Sequence, residues 1–186
     1  GSGKSLLTRT MLGMKRPQLS YQGDIDIDLT KTDAVFQDVQ SNMFQNVTLA
    51  KHFQYIYEAN RTHLTKQRIK DDVLQMMQLL GLRQGEQLLE RYPFELSGGM
   101  AQRVAFIMSL IRRPDYLFLD EPTSALDQEN IKKFMHYLLK AQERYQMTIV
   151  FITHDINLVK DCATHISIMQ QGQLIENGEA TSILTK

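Results

Sequence analysis

Two stretches of this chain place polar side chains where they can handle a phosphate. Residues 1–5 read GSGKS: glycines let backbone N–H groups wrap an anion, a lysine adds positive charge, and a serine hydroxyl follows. Residues 96–127 read LSGGMAQRVAFIMSLIRRPDYLFLDEPTSALD. There Ser97, Gly98 and Gly99 precede an amphipathic helix stopped by Pro114, so free N–H groups and the positive end of the helix dipole face outward. Residues 116–119 form an all-apolar run suited to a strand buried on both faces, which delivers Asp120 and Glu121 to the strand's carboxyl end. Ligands of open α/β sheets bind at that edge.

The elements that must position these groups follow from periodicity. GSGKS matches the end of the P-loop pattern G-x-x-x-x-G-K-[ST], in which Lys4 neutralises the outer phosphates and Ser5 holds Mg²⁺. The first glycine of that pattern and the strand before it are absent, so the expectation is a chain beginning inside the loop. Leu6 and Leu7 open a helix-like run to Leu12. Residues 23–29, GDIDIDL, alternate acidic and apolar and predict a half-exposed strand. Val35 and Phe36 end a further apolar step at Gln37 and Asp38. From 49 to 95 the pattern turns helical, with Ile69, Val73, Met76 or Met77, and Leu80 on one face and Gly81 as the stop. Phe44, Phe53, Tyr55 and Tyr57 cluster near the start of this inserted lobe, where core packing is the plainest role for each. After Asp127, the residues Ile131, Phe134, Met135, Leu138 and Leu139 predict one face of a helix, with Lys132, Lys133 and Lys140 on its solvated side. Thr148–Ile152 reads as a second buried strand ending in Thr153, His154 and Asp155. Gln171 and Gly172 sit between two strand-like runs as a hairpin signal, and residues 178–186 start a helix-like tail.

Bulk numbers remove several function classes. A chain of 186 residues suits one compact domain, or one domain with a small lobe. With 21 basic against 21 acidic residues it carries no electrostatic footprint for nucleic acid or an acidic membrane surface. The single Cys162, in a short polar-apolar helix pattern, is expected to be structural filler; it can make no internal disulfide, which suits a reducing compartment. No apolar run approaches the roughly 18 residues that a membrane span needs, so any membrane link must come through a partner or through sequence outside this chain. His52, His63, His136 and His165 show no metal-ligand spacing and are expected on the surface or in the core.

In this order the motifs resemble the ATP-binding cassette (ABC) ATPases: GSGKS as the end of Walker A, residues 96–100 as the signature, 116–121 as Walker B, and 124–127 as the D-loop. The resemblance implies an α/β fold with a P-loop NTPase core, a mostly parallel sheet and an inserted helical subdomain, its N-terminal strands missing. It divides the chain into core at about 1–40 and 115–186 and helical subdomain at about 41–114. It implies that Gly1, Ser2, Gly3, Lys4, Ser5 and Leu6 hold the phosphates of ATP, and that Ser5, Asp120 and Gln37, the Q-loop amide, serve Mg²⁺. Glu121 would polarise the attacking water, and His154, matching the switch histidine, would reach the γ-phosphate. Ser97, Gly98, Gly99, Met100 and Asp127 would face the nucleotide of a second subunit, because such cassettes close head to tail. The implied partners are that second ABC subunit, transmembrane permease subunits whose short helix enters a groove beside the aromatic cluster, and an extracytoplasmic solute-binding protein. The implied location is peripheral, on the cytoplasmic face of the cell membrane.

Met100 followed by Gln102 and Arg103 is similar to the peptide, nickel and metallophore importer group of bacteria. Val39 stands where that group usually has Pro, and Gln45-Asn46 where it often has Asn-Pro. Alternatives are a non-transport ABC ATPase of translation or DNA repair, and a degenerate, non-hydrolysing partner in a heterodimer. The repair type carries a long coiled coil between P-loop and signature, and the 90 residues between Ser5 and Leu96 show no sustained heptads.

Overall fold

The computed structural model describes residues 2–60 and 64–185; Gly1 and His63 lie outside the described residues. Helix α1 (Lys4–Met11) is followed by a long irregular segment, a 3-10 turn at Leu29–Lys31 and strand β1 (Thr32–Val35). Four helices come next: α2 (Leu49–Ala59), α3 (Lys66–Leu79), α4 (Gly85–Leu89) and α5 (Gly98–Leu110). Strand β2 (Tyr116–Asp120), helix α6 (Gln128–Tyr145) and strand β3 (Thr148–Ile152) follow, and β4 (His165–Gln170), β5 (Gln173–Glu179) and α7 (Ala180–Leu184) close the chain.

Strands β1, β2 and β3 make a parallel sheet in that spatial order, with Val35 opposite Leu119 and Asp120 opposite Ile152. Parallel neighbours need long crossovers; helices α2 to α5 fill the first and α6 the second. The central strand is apolar because both its faces are covered: Leu117 and Leu119 are fully buried and Phe118 nearly so. Strand β3 was expected to be equally buried, yet Ile149, Val150 and Phe151 are only half-buried. It pairs with β2 on one side, and among the described residues no strand pairs with its other edge. Residues 23–28 form no strand. Alternation there meets no partner strand, and Asp28 instead caps the 3-10 turn by accepting the Thr30 N–H at 3.0 Å.

Helix α3 starts where the Thr65 hydroxyl accepts the Arg68 N–H and buries Ile69, Val73, Met76 and Met77. It ends as expected at Gly81, whose φ of +66° only glycine takes without strain. Leu82 N–H then returns to the Met77 carbonyl at 2.8 Å. On α2, Phe53 and Tyr57 are core, whereas Phe44 before it is 68% exposed and Tyr55 is 42% exposed. His52 is a satisfied core histidine: Nε2 accepts the Phe44 N–H at 2.9 Å, which leaves Nδ1 to donate to the Thr48 carbonyl at 2.9 Å. Helix α6 buries Phe134, Leu138 and Ala141, and the expected apolar face is narrower than its pattern because Leu139 is 42% exposed. Cys162 is exposed and lies in turns beyond the 3-10 segment Ile156–Leu158, where neither the expected helix nor a filler role applies.

Polar contacts lock the helices to one another. The Tyr57 hydroxyl of α2 donates to the Asp72 carboxylate of α3, and burial, with that bond adding to it, pushes the phenol well above its ordinary range. Arg113, just past α5, pairs with Asp72 at 3.8 Å and stacks 4.9 Å over the Tyr145 ring of α6. The loop after α3 meets α6 closely as well: a Cβ placed on Gly81 would lie 2.0 Å from the Tyr137 hydroxyl oxygen. Gly81→Ala should therefore lower stability by roughly 1–3 kcal/mol, the usual range for overpacking, read as a lower urea midpoint. Adding Tyr137→Leu should recover part of the loss, and an unchanged midpoint in the single variant would show that this loop does not press on α6.

Candidate functional site

The first turn of α1 is shaped for an anion. Gly3 takes φ +89°, the helix ladder begins with Leu7 N–H to the Gly3 carbonyl at 3.0 Å, and the N–H groups of Lys4, Ser5 and Leu6 stand ahead of it. Lys4 Nζ donates to Ser2 Oγ at 3.0 Å. The hairpin closes over this loop: Gly172 N–H donates to the Ser2 carbonyl at 3.1 Å, and a Cβ on Gly3 would lie 3.6 Å from Gly172 Cα.

The carboxyl edge of the sheet meets that turn. Ser5 Oγ donates to Asp120 Oδ1 at 3.0 Å across 115 residues of sequence, and Asp120 is only 5% exposed. Glu121 takes φ +50°, a left-handed conformation that costs a side-chain-bearing residue free energy. It is held there because its N–H continues the ladder to the Ile152 carbonyl at 2.9 Å and its own carbonyl accepts the Ser124 N–H and hydroxyl at 3.2 and 3.0 Å. The turn aims its carboxylate across the end of β3, where His154 Nδ1 lies 3.0 and 3.1 Å from the two oxygens. The histidine side chain is 74% exposed against 18% for Glu121, so the carboxylate sits inside and the imidazole outside. Gln37 is exposed two residues beyond β1, and the Val35–Leu119 pairing puts it at the same edge. The structure thus brings Ser2, Gly3, Lys4, Ser5, Leu6, Gln37, Asp120, Glu121 and His154 to one edge.

The remaining sequence-predicted residues form a separate group. Ser97 caps α5 by accepting the Met100 N–H at 3.4 Å, Gly98 is exposed, and Arg103 Nε donates to the Gly99 carbonyl at 2.9 Å. Burial holds the Arg103 guanidinium below its ordinary pKa. No hydrogen bond among the described residues joins Ser97, Gly98, Gly99 or Met100 to residues 2–6. They pack on the turn that follows Glu121: a Cβ on Gly98 would lie 3.6 Å from the Ala125 carbonyl oxygen, and one on Gly99 3.0 Å from Asn130 Oδ1. Gln40 Nε2 donates to the Leu96 carbonyl at 3.1 Å and so ties the Gln37 segment to the same turn. Gln40 and Asn130 were missed by sequence reasoning. The spacing Asp127-x-x-Asn130 at a helix start is a capping signal that points to the second, and nothing local points to the first.

Asp127 is exposed at the start of α6 and accepts the Asn130 N–H at 2.9 Å and its amide at 2.7 Å. The Asn130 backbone bond, with the side-chain bond second, holds this carboxyl below the usual range. A group with a lowered folded pKa contributes stability that is present above the unfolded carboxylate range and is lost as pH falls through the folded value. Asp127→Asn keeps the cap without the charge. Between about pH 5 and pH 2 the urea midpoint of the native protein should fall more steeply than that of the variant, and parallel curves would show that the charge carries none of the cap's stabilisation.

Comparison with known proteins matches this architecture. Residues 1–124 match the family model described as ABC transporter. The dipeptide transport ATP-binding protein DppD of Haemophilus influenzae is 40% identical over 151 residues, covering 80% of this chain and 45% of that protein. The methionine import ATP-binding protein MetN of Lactobacillus acidophilus is 33% identical over 196 residues, covering 98% and 55%. The structure of cbiO1 from Clostridium perfringens, part of the ABC transporter complex cbiONQ, superposes with a TM-score of 0.79 at 25% identity over 100% of this chain and 76% of that one. The chain spans about half the length of these curated relatives. It carries an α/β cassette fold with a parallel sheet and an inserted set of helices, and it belongs to the ABC transporter family.

Proposed function

We propose that this chain is the ATP-hydrolysing part of a bacterial importer subunit, taking peptide, nickel or metal-chelate substrates. The observation that carries the reading is the convergence of Ser5, Asp120, Glu121 and His154 at one sheet edge beside the first turn of α1. Lys4 and the N–H groups of α1 bind the phosphates of ATP, a task that backbone positioning and charge perform without covalent chemistry. The Ser5 hydroxyl and the Asp120 carboxylate, 3.0 Å apart, offer the hard oxygens that Mg²⁺ takes from protein when water and phosphate complete its shell. When bound, that ion would neutralise charge on the phosphates. Glu121 accepts the proton of the attacking water, His154 keeps the carboxylate aimed and meets the γ-phosphate, and Gln37 adds a neutral amide to the same half-site.

Ser97, Gly98, Gly99, Met100 and Asp127 serve the nucleotide of a second subunit, a role supported by their separation from residues 2–6 of their own chain. Residues 41–114 act as the helical subdomain between core segments 1–40 and 115–186. Its exposed Phe44 and Tyr55 suit a groove for a permease helix, whereas the buried Phe53 and Tyr57 do not. Through that permease the subunit sits on the cytoplasmic face of the membrane and answers to an extracytoplasmic solute-binding protein. The paired Glu121 and His154 favour hydrolysis over a degenerate role.

Positioned general-base catalysis is worth about 10²–10⁴-fold. Glu121→Gln should therefore lower ATP turnover by about that factor while sparing ATP affinity, and should convert a monomer into a dimer that persists only with ATP, read by mass in solution. Unchanged turnover would remove Glu121 from the base role.

A further inference from the structure

Four cations converge on one groove. Between α3 and α6 the surface opens into a cavity of about 960 Å³ that shares no residue with the sheet edge described above. Its lining carries Arg83 in the turn after α3, Arg113 past α5, and Lys140 and Arg144 on α6. Tyr137, Lys140 and Arg144 stand at i, i+3 and i+7, so one stripe of α6 faces the groove. Helix α3 contributes the amides of Gln75 and Gln78, and the turn after it that of Gln84. The chain as a whole has 21 basic and 21 acidic residues, so this local excess does not reflect its overall charge.

The one carboxylate in the lining is already engaged. Asp72 accepts the Tyr57 hydroxyl and pairs with Arg113 at 3.8 Å, and Arg113 is held in turn by its stacking 4.9 Å over Tyr145. Glu86, just past the groove, is taken by Lys70 at 3.2 Å. Among the described residues no carboxylate lies within ion-pair distance of Arg83, Lys140 or Arg144. Any one of these three cations alone would be an ordinary solvated side chain. Together, from two segments on one groove, they draw in the opposite charge.

The chemistry of the lining selects among anions. Arginine forks match carboxylate and phosphate alike. The glutamines separate the two, because each amide offers a carbonyl acceptor beside its NH₂ donors. A fully ionised phosphate has no donor for those acceptors, whereas a peptide backbone carries N–H and C=O groups that use both ends. The volume lies near the top of the roughly 300–1,000 Å³ that ligand clefts span, so it holds an extended segment rather than a single ion. We propose that this groove binds an acidic peptide segment of a partner protein. Its carboxylates meet Arg83, Lys140 and Arg144, and its backbone meets Gln75, Gln78 and Gln84. This face is separate from the nucleotide site, and the proposal does not rest on the hydrolysis reading.

The probe is fluorescein-labelled hexaglutamate, titrated with the full chain and read by anisotropy at about 0.1 M salt, where charges within a screening length of about 10 Å still interact. Binding should saturate. Lys140→Glu with Arg144→Glu should raise its Kd about tenfold or more, the scale of two exposed ion pairs turned repulsive. Lys132→Glu with Lys160→Glu makes the same change in net charge outside the groove and should leave Kd within about twofold. If the first pair does not fold, Lys140→Gln with Arg144→Gln supplies the comparison. Binding that does not saturate, or equal weakening by both double variants, would overturn the proposal. So would displacement of the peptide by inorganic tripolyphosphate at lower concentration than by unlabelled hexaglutamate, which would make the groove a phosphate site.

Discussion

The hydrogen bond from Ser5 to Asp120 is the constraint on which the site depends. A carboxylate at 5% exposure needs a donor, because burial without one is costly. Supplying that donor from residue 5 forces the first turn of α1 against the end of β2, and once it is there the remaining geometry follows. The first turn of α1 stands at the carboxyl edge, Glu121 follows the last residue of the strand, and β3 in parallel register brings His154 alongside. The left-handed backbone at Glu121 belongs to the same economy of form. A strand that simply continued would send the Glu121 side chain to the face opposite Asp120, whereas the turn holds it across the strand ends, fixed by Ile152 on one side and Ser124 on the other.

A second group is built with equal care and stays apart. The start of α5 is held by the Gln40 bond to Leu96 and by Arg103 on its own helix, it packs against Asn130, and neither bond reaches the α1 loop. The glycine at 99 has a steric reason, since a Cβ there would lie 3.0 Å from Asn130 Oδ1, whereas Gly98 has room for one. The start of α5 thus makes its contacts with segments other than the phosphate loop.

Much of this was legible in the sequence, because short motifs there carry a mechanism. GSGKS, the apolar strand ending in Asp120 and Glu121, the turn at Ser97 and the histidine after β3 each specify a residue type at a strand or helix end, and ends are where parallel sheets place their chemistry. The stop at Gly81 and the hairpin at Gln171-Gly172 were legible for a similar reason, since positive φ at both turn residues is a local requirement. Other features depend on partners that local pattern does not contain. The alternation at 23–29 is that of a strand, but a strand exists only beside another, and among the described residues none lies there. Apolar residues in β3 are buried only as far as their neighbours cover them. Gln40 gains its importance from a contact with a segment distant in sequence, and no spacing rule announces such a meeting.

The hairpin's bond to the phosphate loop has a consequence for the order of events in synthesis. Gly172 reaches back to Ser2, so the loop is clasped by an element that leaves the ribosome long after it. Contacts of such separation must overcome a large loop-closure entropy and depend on the elements between them being in place. A nascent chain that has already formed its sheet and its inserted helices still carries an open loop, and it gains the clasp only when β4 and β5 have paired. The hairpin therefore ties the closed form of the loop to the arrival of strands made long after it.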